Sequence, residues 1–218
     1  PGGRYMKTEE QILKLIDGES TVIDGYMVKI LADDDPSNPR KEFDNAGKMV
    51  CWHSRYSLGD EQPDQSPSEF YDEILKPIEQ AGGIVLPLYL LDHSGITIST
   101  SGFSCPWDSG QVGYIYIDAD TIRKEWGAAQ NDAMERAREC LISEVETYDQ
   151  YLTGDVWGYV IEKDGEHIDS CWRFYGAEYC KQEAASVLAH VLEREHKERQ
   201  EKLKTYIRHH VPLKARTL

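Results

Sequence analysis

Residues Gln111–Ile117, QVGYIYI, constrain the fold most. Val112, Tyr114 and Tyr116 alternate with Gly113, Ile115 and Ile117, so both parities of the run are largely apolar. Successive side chains of a strand point to opposite faces, so such a run suits a central strand covered on both sides. Gly113 has no side chain, which permits a neighbouring backbone or ring to come close. A second apolar strand, Ile96–Thr100, precedes it, and the two are expected to pair. The loop between them, SGFSCPWDSG, has turns set by Ser101-Gly102, Pro106 and Ser109-Gly110. Two readings of its other residues stay open. Cys105 and Asp108 are displayed as site groups, or Phe103, Cys105 and Trp107 plug the sheet edge while Asp108 closes an Asx turn.

The flanking segments supply more strands. Ile84–Leu91, IVLPLYLL, is the most apolar, and Pro87, which has no N–H, marks an edge or a bulge in it. Asp92-His93-Ser94-Gly95 is a turn. Lys48–Ser54, KMVCWHS, reads as a strand with Cys51 and His53 on one face and Trp52 on the other. Asp155–Glu162 and His167–Tyr175 read as a hairpin across Asp164-Gly165, with Trp157, Tyr159 and Ile161 on one face. Ile168, Trp172 and Phe174 are expected to share a face of the partner strand.

Helix signals are local and physical. Thr8-Glu9-Glu10-Gln11 and Ser66-Pro67-Ser68-Glu69 are capping boxes, the second with proline at the first helical position. Pro77 is expected to kink or end the helix that carries Phe70, Ile74 and Leu75. Asp118 and Asp120 offer caps for a short helix, Thr121–Trp126. Asn131 or Asp132 caps a longer one to about Tyr151, where Met134, Ala137, Leu141, Val145, Tyr148 and Leu152 form one stripe. The last helix runs from Ala177 to about His209. Its second half is almost wholly charged and either projects beyond the body or packs on another copy through Leu203, Tyr206 and Ile207.

Together these elements predict an α+β fold: a mixed, mainly antiparallel sheet of five to seven strands flanked by helices, with a long charged C-terminal helix. One domain is expected over residues 6–190, and residues 191–218 read as a helical extension. Pro1–Tyr5 read as a tail outside the fold, with Met6 the expected start.

Charge narrows the partners. The net charge is −15. Residues 191–218 hold eight Lys/Arg against four Asp/Glu, which leaves sixteen against thirty-five in the first 190. Such a body repels nucleic acid and anionic membrane, so the expected partner is a protein, basic or itself nucleic-acid-binding. Five tryptophans and thirteen tyrosines add ring surface suited to an interface, where charge steers association. The five cysteines, Cys51, Cys105, Cys140, Cys171 and Cys180, are odd in number and scattered without a CxxC pair. That argues against a disulfide framework and for a cytoplasmic setting.

Two chemistries compete at the central loop. A cysteine hydrolase would use Cys105 with His53 or His93 as base and Asp92 or Asp108 orienting it. Against it, Pro106 removes the backbone N–H that commonly serves an oxyanion hole. A binding surface would instead use Trp107, Asp108, Arg55 and Tyr56. No HxH, HExxH, CxxC, P-loop or dinucleotide pattern is present, and Asp33-Asp34-Asp35 lacks the glycine and distal glutamate of an EF-hand. Neither a metal nor a cofactor is expected.

The runs WDSGQVGYIYI, YDQYLTGDVWGYVIE and DSCWRFYG resemble a family of uncharacterised proteins carried by phages and other mobile elements. The resemblance spans roughly Lys48 to Gly176. It implies a setting and assigns no catalytic residue. Small acidic proteins of that setting are often anti-defence factors, either DNA mimics or inhibitors that bind host restriction or CRISPR machinery.

Overall fold

The computed structural model describes residues 7–127 and 130–212, and the side chains of Gln130 and Asn131 are not among what it describes. Expectations that fall on Pro1–Tyr5, Met6, the Asn131 cap and residues 213–218 lie outside the described residues. In chain order the elements are α1 Glu9–Leu13, β1 Ser20–Ile23, β2 Tyr26–Ala32, α2 Pro39–Glu42 and β3 Lys48–Cys51. A helical run follows as α3 Pro67–Phe70, a π-helical stretch Tyr71–Leu75 and α4 Lys76–Gln80. Then come β4 Ile84–Asp92, β5 Ile96–Ser99, β6 Ser109–Ile117, α5 Ala119–Trp126 and α6 Gln130–Thr153. The chain ends in β7 Val156–Lys163, β8 Glu166–Tyr175 and α7 Ala177–His210.

The α+β class with antiparallel pairing and a long C-terminal helix is the one the sequence predicts. The strands divide differently: eight described strands form two four-stranded sheets, β1-β2-β7-β8 and β3-β6-β4-β5, where one sheet of five to seven was expected. The chain contacts separate two compact units, Pro1–Asp33 with Trp157–Leu218, and Asp34–Val156.

In the first unit both hairpins turn on Asp-Gly. Asp24 and Gly25 have φ of 51° and 88°, and Asp164 and Gly165 have 51° and 83°. Both central residues are left-handed, the twist that matches antiparallel strands. Ile23, Tyr26, Val28, Ile30, Tyr159 and Ile161 pack against Ile12 of α1 and Cys180, Ala184, Ala185 and Leu188 of α7. Lys163 reaches from β7 to the Tyr26 hydroxyl at 3.2 Å and Glu195 at 2.5 Å. Trp172 departs from expectation. Ile168 and Phe174 join this core, but the Trp172 indole lies on Gly158, where a Cβ would sit 2.2 Å from the ring. Arg173, at φ 69°, breaks the alternation between Trp172 and Phe174. Along α7 the last buried residue is Val191, and Leu203 and Tyr206 are exposed.

The second unit is built on β6, an inner strand paired to both β3 and β4. Ile115 and Ile117 pack with Leu141, Val145 and Tyr148 of α6, while Tyr114 and Tyr116 face Phe70 and Leu75. The two apolar parities thus fill two cores, as the alternation predicts. Val112 is the exception. Leu88 pairs with Gly113 and Tyr89 with Gln111, so Val112 is bulged out of the ladder and joins the α6 side. A Cβ on Gly113 would lie 1.9 Å from the Val50 carbonyl oxygen, the close backbone approach its missing side chain permits.

One strand pairing changes here, and two prolines find their places. Ile96–Thr100 does not pair with β6: β4 lies between them, because the tight turn at Ser94-Gly95 closes β5 onto β4 first. Pro87 sits inside β4, yet β5 covers only Tyr89–Asp92, so β4 is locally an edge there, one residue before the bulge. Pro77 does not end its helix. The preceding turn widens into the π-helical stretch, which accommodates the missing N–H, and the run continues to Gln80.

Arg40 is the structural residue that the sequence hides. Its side chain is only 1% exposed. It donates from Nε and Nη2 to Asp60 at 2.9 and 2.6 Å, from Nη1 to Glu144 at 2.7 Å and from Nη2 to the Gly47 carbonyl at 2.8 Å. Burial opposes its charge, but the bonds to Asp60 and Glu144 outweigh burial and hold the guanidinium above its ordinary value. No helix among the described residues is long and apolar enough to cross a membrane.

Candidate functional site

The loops at 53–56, 92–95 and 105–109 of the second unit are linked by a chain of contacts. The β4–β6 ladder runs to Leu91 and Ser109, and beyond it the Asp92 N–H donates to the Asp108 carbonyl at 2.8 Å. Ser109 Oγ donates to the Cys105 carbonyl at 2.5 Å and ties the loop back on itself. Arg55 forms an ion pair with Asp92. Its guanidinium lies 5.4 Å from the centre of the Tyr56 ring, and His53 stacks on that ring at 4.9 Å.

Of the five residues weighed for catalysis, Cys105, His93 and Asp108 come together, while Asp92 is paired with Arg55. Asp108 Oδ2 lies 3.1 Å from His93 Nδ1 and 3.7 Å from Cys105 Sγ. His53 is engaged elsewhere. It lies past the end of β3, not on the strand as expected, and its Nδ1 accepts the backbone N–H of Arg55 at 3.2 Å and of Tyr56 at 3.1 Å. The chain leaves the ladder after Trp52, whose N–H donates to the Val112 carbonyl, so strand alternation does not reach His53.

The order within the cluster matters chemically. A thiol nucleophile needs a base that takes its proton, and a third group behind that base. Here the carboxylate stands between thiol and imidazole, and the group that Cys105 meets is an anion. Pro106, the next residue, offers no N–H for an oxyanion. Asp108 and His93 are both exposed, so water has access to the cluster.

The binding candidates are placed differently. Trp107 is 90% exposed, which excludes it from any plug over the sheet edge. Phe103 and Cys105, which precede it in the loop, are half-buried. Asp108, Arg55 and Tyr56 lie in the same linked loops. Among the described residues no group of three or more His, Cys, Asp or Glu could hold a metal ion. All five cysteines are free thiols. Burial, and then Asp60, pushes Cys51 up to about 12, and burial, then Cys171, does the same to Cys180.

A second feature was not read from the sequence. A cleft of about 420 Å³ lies beside the start of the Pro67 helix and β6, walled by Trp52, Tyr71 and Tyr114. Trp52 follows β3, Tyr114 lies on β6, and Tyr71 is 19 residues from the first and 43 from the second. Only the sheet register and the helix packing bring the rings together.

No family model, curated protein or solved structure matches this chain.

Proposed function

We propose that this chain is a non-enzymatic binding protein. Its partner is a protein with a basic or nucleic-acid-binding surface, met in a cytoplasmic setting. The phage and mobile-element resemblance suggests the role of an anti-defence inhibitor or DNA mimic. The observation that carries the reading is Trp107. An indole left 90% exposed on a loop tied at both sides is an unsatisfied apolar surface on a rigid support. The net charge of −15 favours a basic partner and speeds its approach. Arg55 on Tyr56 adds a second amphipathic element in the loops linked to that of Trp107 through Asp92. Leu203 and Tyr206 on the exposed end of α7 offer a separate surface for a second copy of the chain.

The rival reading is a small hydrolase using Cys105, favoured by the meeting of Cys105, Asp108 and His93. The position of Asp108 between the other two weighs against it. Immobilised wild type, Trp107→Ala and Cys105→Ser chains, exposed to the same bacterial lysate, separate the two. The binding reading expects capture to be lost with Trp107 and kept with Cys105. Hydrolysis of any ester or amide probe that disappears in Cys105→Ser would replace it.

A further inference from the structure

We propose that the Trp52–Tyr71–Tyr114 cleft binds the cationic side chain of a lysine or arginine on a basic peptide. The walls suit a cation. Tyr71 and Tyr114 have ring centres 5.6 Å apart at 36°, and Trp52 meets Tyr114 at 6.5 Å and 83°. Rings set at such different angles present faces from more than one side, and a cation is held by ring faces within about 6 Å. A volume of about 420 Å³ is that of a side-chain or small-ligand site.

The rings are fixed before any ligand arrives. Trp52 Nε1 donates to the Gln65 carbonyl at 2.8 Å, and its ring packs edge-on to Phe70 at 5.5 Å. The Tyr71 hydroxyl donates to Glu79 at 2.8 Å. Tyr114 is carried by the inner strand β6. Little ordering is left to oppose binding.

The charge around the cleft selects the sign of the ligand. Along the sequence, residues 56–75, which supply part of the lining, hold six carboxylates, Asp60, Glu61, Asp64, Glu69, Asp72 and Glu73, and are flanked by Arg55 and Lys76. Asp60 is taken by Arg40, and Glu69 by the cap at Ser66. Asp72 is itself in the lining, with Ser68 and Gln111 as neutral polar partners. Its ion pair with Lys76, 3.3 Å long, is an exposed i,i+4 contact that an incoming cation can displace. No lysine or arginine lines the cleft, so a phosphate or nucleotide finds no countercharge.

The choice of a peptide as bearer of the cation rests on the binding reading above; the ring and charge geometry does not involve Trp107. The test titrates ¹⁵N-labelled protein with three blocked pentapeptides, Gly-Ser-Xaa-Ser-Gly, where Xaa is lysine, arginine or glutamine. The readout is the Trp52 indole N–H, assigned by its loss in Trp52→Phe. Lysine and arginine peptides should shift it saturably at about millimolar concentration while glutamine does not. Asp72→Asn should weaken the lysine and arginine peptides by about three- to fivefold, and Tyr71→Ala by at least as much. Asp72→Asn changes an exposed residue and keeps the test valid if Tyr71→Ala does not fold. An unmoved indole, equal shifts with glutamine, or affinities unchanged by Asp72→Asn would each overturn the proposal. Peptide binding that survives Trp107→Ala leaves this site standing even if lysate capture fails, and the converse leaves Trp107 standing alone.

Discussion

The carboxylate of Asp108 holds the imidazole of His93 at 3.1 Å, Oδ2 to Nδ1. The same oxygen lies 3.7 Å from the sulfur of Cys105. In a working cysteine triad the imidazole would occupy the middle place. Here it is the carboxylate that does.

Replacing Cys105 with serine or His93 with glutamine should therefore leave partner capture as in wild type. Stability should change by no more than about 0.5 kcal/mol for His93, which is exposed, and by no more than about 1 kcal/mol for Cys105, which is half-buried. Capture that fails in either variant, in a chain with an unaltered melting transition, would contradict this.

Arg40 should be the least replaceable charged residue of the second unit. Arg40→Met leaves Asp60 and Glu144 without their buried cation and should cost about 3–5 kcal/mol in denaturant unfolding. Arg40→Lys should recover only part, because an ammonium cannot make the forked contact to Asp60 together with the bond to Glu144. A loss below about 1 kcal/mol for Arg40→Met would show that the network contributes little.

Gly113→Ala should destabilise the same unit by about 1–3 kcal/mol or more, because the methyl meets backbone at Val50, which cannot swing aside as a side chain can. Denaturant midpoints measure it. A midpoint equal to wild type would mean that β6 and β3 separate without cost.

Asp118 caps α5 by accepting the Thr121 N–H at 2.8 Å, and that bond holds its carboxyl below the ordinary aspartate value. A depressed folded value gives stability that is complete above the unfolded value, about 3.9, and is lost as pH falls through the lower folded one. Asp118→Ala should cost about 1 kcal/mol at neutral pH, and the gap to wild type should close in acid. A gap that stays constant down to strongly acidic pH would remove the ionised cap from the account.

Much of this fold is legible from local chemistry. Both capping boxes, at Thr8 and Ser66, form as the residue pattern specifies, and so does the Asp164-Gly165 turn. These signals depend on neighbours within four residues. Errors cluster where one residue alters phase. Val112 and Arg173 each break a strand's alternation, and nothing in the residue identities announces that. β5 pairs with β4 and not with β6 because strand order depends on which neighbour closes first, and a tight turn at Ser94-Gly95 favours β4. At the site, the proximity of Cys105 and Asp108 follows from three-residue spacing, whereas His93 joins them only through the β4–β6 register. Arg40 and the aromatic cleft are not legible in the sequence because the carboxylates that hold Arg40 lie 20 and 104 residues away and the cleft's rings lie on separate elements.

The exposed end of α7 should carry self-association. Light scattering should show a dimer for the full chain and a monomer for a chain ending at Glu195, which keeps the Lys163 contact. A full chain that is monomeric at high concentration would remove this surface from the account.

The affinity of the captured partner for wild type and Trp107→Ala tests the central claim most directly. The account predicts at least about a thirtyfold loss, the size of an interface anchor, with folding unaffected and Cys105→Ser equal to wild type. Equal affinity for Trp107→Ala, with the partner cleaved by wild type and untouched by Cys105→Ser, would contradict it.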